Sequence, residues 1–242
     1  MRSFLTIIIS LCFALAIEAR FTVPVFAHVV IADQTRGGGN IPDAMVIAQM
    51  AVLNQAFARF GLSFRLQDIR RTLNPTWASA AENSQAAISM KNNLRVGGVE
   101  TLNLYIRPLP DGLLGTGTFP ADYARDPKVD GCEIHPETLP GGFQVNYNLG
   151  KIAVQQVGHW VGLYNTYEGG CSSPGDYVDD TPAQATPGYG CPIGRDSCPG
   201  GGPDPISNYM SGSFDICKLD FTNGQGNRMA QQLRQYRGIN LF

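Results

Sequence analysis

The sequence predicts an α+β fold: strands and helices that build one sheet in the first part of the chain, followed by an irregular segment rich in cysteines. Two observations carry this. From Val23 to Arg107, stretches of strand-like alternation and stretches of helical spacing run strand, helix, strand, helix, strand, which implies right-handed crossovers onto one sheet. From Tyr167 to Cys217 periodicity almost vanishes, and turns, aspartates and four cysteines take its place.

Each element has its own signal. VPVFAHVVIA, from Val23 to Ala32, is β-branched and bounded by turn residues, a first strand. IPDAMVIAQMAVLNQAFARFG places Val46, Met50, Leu53 and Phe57 at helical spacing, with Pro42 near its start and Gly61 placed to stop it. LSFRLQ alternates Leu62, Phe64 and Leu66 as a second strand. A helix from about Ser84 to Arg95 closes at Gly97-Gly98, and TLNLYIR alternates Leu102, Leu104 and Ile106 as a third strand. Beyond Arg107, Pro and Gly clusters separate short apolar pieces. FTNGQGNRMAQQLRQYR closes the chain as a helix, with Thr222 and Gln225 at the spacing of a capping box.

At 242 residues the chain suits one domain or two intimate subdomains. A hydrophobic share of 43% and a charged share of 16% are ordinary for a soluble globular protein. A net charge of −2 gives no electrostatic reason to expect nucleic acid or an anionic membrane as partner. Residues 1–19 carry a basic start, an apolar run from Phe4 to Ile17 and small residues at Ala16 and Ala19, the layout of a secretory signal peptide. Arg20 almost abuts the first strand, so no latency segment is expected.

Cys12 leaves with the signal, and Cys132, Cys171, Cys191, Cys198 and Cys217 remain. In an oxidising compartment the last four read as two disulfides, with three connectivities open. Cys132 is left over, either buried and inert or pairing between chains.

The chemistry turns on KIAVQQVGHWVGLYNTYEGGC, Lys151 to Cys171. Two histidines one helical turn apart can share a zinc ion, a glutamate after the first can take a proton from metal-bound water, and a later glycine lets a third histidine swing in. That is the H-E-x-x-H-x-x-G-x-x-H signature of metzincin proteases. In this frame the chain has Gln155, Gln156, His159, Gly162 and Asn165. With TLNLYIRPLPDGLLGTGTFP, GDYVDDTPAQATPGYGCPIGRDSCP, DPISNYMSGSFDIC and FTNGQGNRM, the chain from about Val23 to Arg237 resembles the pappalysin family of metzincins, above all its small secreted fungal metalloproteases.

The resemblance implies a metzincin-like fold: a twisted mixed sheet with helices in an upper subdomain over residues 20–165, containing the zinc helix, and an irregular, disulfide-stapled lower one over 166–242 with the Met-turn and the last helix. It implies that Met210 floors the metal site and that the disulfides are Cys171–Cys198 and Cys191–Cys217. It also implies calcium near Gly175 to Pro182, where Asp176, Asp179, Asp180 and Thr181 offer hard oxygen ligands; a solvated acidic turn is the other reading of that segment. Cys132 stands where relatives carry an apolar strand residue beside the cleft, which puts it and His135 near the cleft edge.

The departures fall on the chemistry. His159 keeps a ligand position, but Gln155 and Asn165 stand at the first and third, and amides are poor zinc ligands. Gln156 stands at the general-base position, and Gly212 replaces a tyrosine two residues after Met210. His28 lies in a distant strand, and nothing orients Cys132 with His135 or His159 as a nucleophilic pair. The expectation is a secreted pseudoprotease whose cleft, without zinc, binds a peptide or protein or modulates active proteases, with neither nucleic acid nor membrane as partner. The alternative is an active extracellular zinc endopeptidase that degrades proteins for nutrition or virulence, which requires a non-standard metal site or errors in this sequence.

Overall fold

The computed structural model describes residues 20–241; the expected signal peptide lies outside the described residues. The sheet has five strands in the order β2-β1-β3-β5-β4. β1 (Phe21–Ile31), β2 (Leu62–Leu73), β3 (Leu102–Ile106) and β5 (Cys132–Ile134) are parallel, and β4 (Gly115–Gly117) closes one edge antiparallel to β5. Val23, Val25, Ala27 and Val29 of β1 point inward, and the strand is buried without a break from Ala27 to Ile31. Burial on both faces is what a parallel sheet covered on two sides requires. β2 runs longer than its alternation suggested. Its second half, with Asp68, Arg70 and Arg71, forms a charged open edge that discourages pairing with another chain.

Helix α1 (Asp43–Phe57) buries Val46, Met50, Leu53 and Phe57 against the sheet, and a 3₁₀ turn leads to Gly61, whose φ of 78° reverses the chain. The short α2 (Pro75–Ala78) is capped by the Asn74 side chain, and α3 (Gln85–Leu94) by Ser84. Three of these elements had no legible signal: α2, four residues long, and β4 and β5, each three residues long. β4 is Gly-Thr-Gly because α4 (Lys151–Trp160) lies directly on it. A Cβ on Gly117 would sit 2.6 Å from the Gln156 carbonyl oxygen.

Between α4 and α5 (Asn223–Arg237) the described chain holds no helix longer than three residues. Disulfides Cys171–Cys198 and Cys191–Cys217 staple this segment in the pairing that the resemblance implied. The core does not stop at residue 165. Val25, Leu104 and Ile134 of the sheet, Val157 of α4, Met210 and Phe221 beyond it, and Met229 and Leu233 of α5 form one cluster. The capping box at Thr222 and Gln225 is present, and Gly238 ends α5 in the left-handed region.

Cys132 does not stand at the cleft edge. It is fully buried behind β4, unpaired, with its thiol donating to the Gln156 carbonyl at 3.3 Å. His135 is half-buried and accepts the Glu137 N–H through Nδ1, so the two form no pair. His28 stacks on Tyr105 at 5.1 Å and bonds Asn103, in the sheet's own interior.

Candidate active-site cleft

A cleft of about 580 Å³ runs between β4 and α4 on one side and the stapled segment on the other. That volume is in the range that admits a peptide-sized ligand. Gln155, Gln156, His159, Asn165, Tyr167 and Lys218 are among its lining residues. The start of α4 is pinned from the far segment: Asp215 Oδ2 accepts the N–H groups of Leu149 at 2.9 Å and Lys151 at 3.2 Å. A carboxylate is well placed against the positive end of a helix.

Residues 155, 156 and 159 share the buried end of α4. His159 Nδ1 lies 2.8 Å from the Leu163 carbonyl oxygen. A carbonyl only accepts, so Nδ1 carries the proton and Nε2 keeps a free lone pair. Burial lowers the ring's pKa to about 4, the Leu163 bond opposing and Lys218 adding, so the imidazole is neutral at ordinary pH. Gly162 then takes φ of 103°, which L side chains avoid, with the Gln232 side chain filling the space where a Cβ would go. The turn carries the chain back so that Asn165 meets Gln155.

The meeting is a hydrogen bond. Gln155 Nε2 donates to Asn165 Oδ1 at 2.8 Å, and Gln155 Oε1 accepts from Lys218 Nζ, also at 2.8 Å. Lys218 is only 1% exposed, and burial pushes its pKa down to about 8, with the nearby Asp215 charge opposing. The Gln156 side chain has no hydrogen-bond partner among the described residues. Met210 is fully buried with its sulfur against Gly158 in α4, and Gly212 takes φ of 75° beside the Tyr167 ring.

Thus the three positions of the expected ligand set are brought together, but not as a metal site. Zinc wants three deprotonated nitrogen, oxygen or sulfur donors from the protein. These residues offer one imidazole, two amides bonded to each other, and an ammonium bonded to the first amide. They do not fit the ion. Lys218 escaped the sequence reading; a lysine beside a disulfide cysteine in an apolar stretch was its one signal.

The acidic segment is divided between two tasks. Asp176 is buried and accepts the Thr181 hydroxyl at 2.7 Å and the Val178 N–H at 3.1 Å, its pKa raised by desolvation. Asp180 accepts the Thr222 hydroxyl at 2.6 Å and the Gly224 N–H at 2.8 Å, helping to cap α5. Asp179 is exposed. Among the described residues no group of three or more His, Cys, Asp or Glu side chains is arranged to hold a metal ion.

The family model Peptidase_M43, described as pregnancy-associated plasma protein-A, matches residues 101–234. "Extracellular metalloprotease 1" of Coccidioides posadasii is 45% identical over 224 residues, covering 91% of this chain and 80% of that one. The "Extracellular metalloprotease" of Colletotrichum graminicola is 46% identical over 233 residues, 93% of this chain and 80% of that one. Among solved structures, mature mirolysin of Tannerella forsythia in complex with a cleaved peptide superposes with a TM-score of 0.72 at 29% identity, covering 86% of this chain and 89% of that one. Mirolysin in complex with a compound superposes with a TM-score of 0.77 at 26% identity, covering 93% and 95%.

Proposed function

This chain belongs to the M43 peptidase family, and from that membership we propose that it is a secreted protease homologue that binds peptide or protein segments in its cleft without cleaving them. The observation that carries the reading is the chain of hydrogen bonds from Lys218 through Gln155 to Asn165. It uses both amides where relatives are expected to hold an ion, and it places a positive charge beside them. Gln156 adds a second loss. A neutral amide takes no proton near neutral pH, and losing a positioned base alone costs about 10²–10⁴-fold in rate.

What survives supports binding. The cleft wall carries Tyr147, Tyr167 and Tyr189, and Phe143, Val145 and Ile216 lie exposed nearby on segments joined by backbone bonds. Exposed apolar side chains gathered beside a cleft favour a protein partner. Secretion is supported by the signal-like start and by the relatives' names, and no helix among the described residues is long and apolar enough to cross a membrane.

Metal analysis of the secreted protein, with casein hydrolysis measured beside it, tests the reading. Zinc far below one equivalent and no chelator-sensitive hydrolysis are expected. Near-stoichiometric, tightly held zinc would sink it. A second reading, an active extracellular endopeptidase, is favoured by the names of relatives at 45% and 46% identity. Chelator-sensitive casein hydrolysis would establish that one instead.

A further inference from the structure

We infer that the floor of the cleft is a carboxylate-binding site, with the Lys218 ammonium as its anchor and the free end or an acidic side chain of a bound peptide as its ligand. The inference rests on the reading of the cleft as a peptide-binding site and names what that site recognises.

Three features of the charge distribution lead there. An ammonium carries three N–H donors, and among the described residues Lys218 Nζ uses one, on the neutral Gln155 oxygen. A buried cation whose one hydrogen-bond acceptor is neutral is poorly compensated. The nearest candidate to neutralise it, Asp215, forms no ion pair with it and spends one oxygen on the start of α4. The cleft's own carboxylates, Glu82 and Glu168, are exposed rim residues, and Glu82 accepts from Thr116. The floor therefore holds a positive charge that Asp215 answers only from a distance, without an ion pair.

Asn165 adds a donor. Its Oδ1 accepts from Gln155, so its Nδ2 is turned to another side and has no partner among the described residues. His159, protonated at Nδ1, offers no second N–H. A carboxylate accepts from ammonium and amide donors together, and such charge-assisted bonds are the strong ones. A peptide bond in the same place would meet the cation with a weaker, neutral oxygen. Chain-terminal carboxylates are the products of peptide hydrolysis, so a site of this kind would collect what another protease releases.

The test compares one N-acetylated hexapeptide of alanine and phenylalanine in three forms: free acid, C-terminal amide, and amide with an inner alanine replaced by glutamate. N-acetylphenylalanine and its amide serve as a small probe pair. The acid forms should bind roughly ten- to hundredfold tighter than the neutral amide, the gain expected of a hydrogen bond to a charged group. Whether the free acid or the inner glutamate gains more identifies the source of the carboxylate. Lys218→Met should erase the difference between the acid and amide forms, with a thermal melt of the variant verifying that it is folded. If acid and amide peptides bind equally, or the preference survives K218M, the inference is wrong while the peptide-binding reading stands. If N-acetylphenylalanine binds through Lys218 but no peptide does, the peptide-binding reading is wrong and the carboxylate site stands. If neither probe binds, both are overturned.

Discussion

Arg237 stands over Trp160 with its guanidinium carbon 3.8 Å from the indole centroid, and both side chains end on the carboxylate of Asp130. The last residue of α5 is thereby joined to the last residue of α4 and to the loop before β5. Arg237 is 2% exposed and Asp130 1%.

Replacing Asp130 by alanine leaves that buried guanidinium without its counter-charge. The expected cost is about 3–5 kcal/mol, because breaking one side of a buried pair strands the other. A lowered denaturant midpoint with an unchanged slope would report it. An unchanged midpoint would mean that the cation–π contact and the Trp160 and Val99 carbonyls suffice to hold Arg237.

Acid should unfold the protein through Glu133. Burial by itself would raise its carboxyl pKa, but Lys91 at 2.8 Å and Arg107 at 2.7 Å hold it below the usual range. A group whose folded pKa is depressed contributes stability above its unfolded pKa, near about 4.3 for glutamate. That contribution is lost as pH falls through the lower, folded value. Stability from this group should be flat between neutral pH and about 5 and decline below it. The slope of stability against pH below the glutamate range should be shallower in Glu133→Gln, as read from denaturation curves at several pH values.

Restoring the ligand set should not restore zinc while Lys218 remains. Gln155→His, Gln156→Glu and Asn165→His put the three imidazoles and the base in place, but the ammonium that bonded residue 155 still faces them. Adding Lys218→Met should raise zinc occupancy at least about tenfold, since it removes a like charge from beside the ion. Equal occupancy in the triple and quadruple variants would show that the lysine moves aside freely.

Cys132 should be silent to thiol reagents in the folded protein. It is fully buried, its pKa is raised by desolvation, with Asp130 adding to the rise, and its thiol is engaged with the Gln156 carbonyl. Thiolate is the reactive form. One equivalent of thiol should appear only in denaturant; rapid labelling of the native protein would contradict this burial.

Much of the frame was legible because its signals are local. Val46, Met50, Leu53 and Phe57 repeat at helical spacing and all four are buried. Thr222 and Gln225 announce their own cap. β4 and β5 were hidden because three residues cannot display a period, and Gly-Thr-Gly has no side chains to alternate. The altered ligand positions could be found because a motif supplies a frame to compare against. Lys218 could not: its partner Gln155 lies 63 residues earlier, and only the folded chain brings them to 2.8 Å. The same holds for Asp130 and Arg237, 107 residues apart.

The amide–ammonium chain at the end of α4 also decides how this protein would behave in the hands of a biochemist. Hydroxamate resins retain metalloproteases by chelating the ion itself. With Gln155 committed to Asn165 and Lys218, the proposed metal-free chain should appear in the flow-through of such a resin, where a protein holding zinc in its cleft would stay on the column.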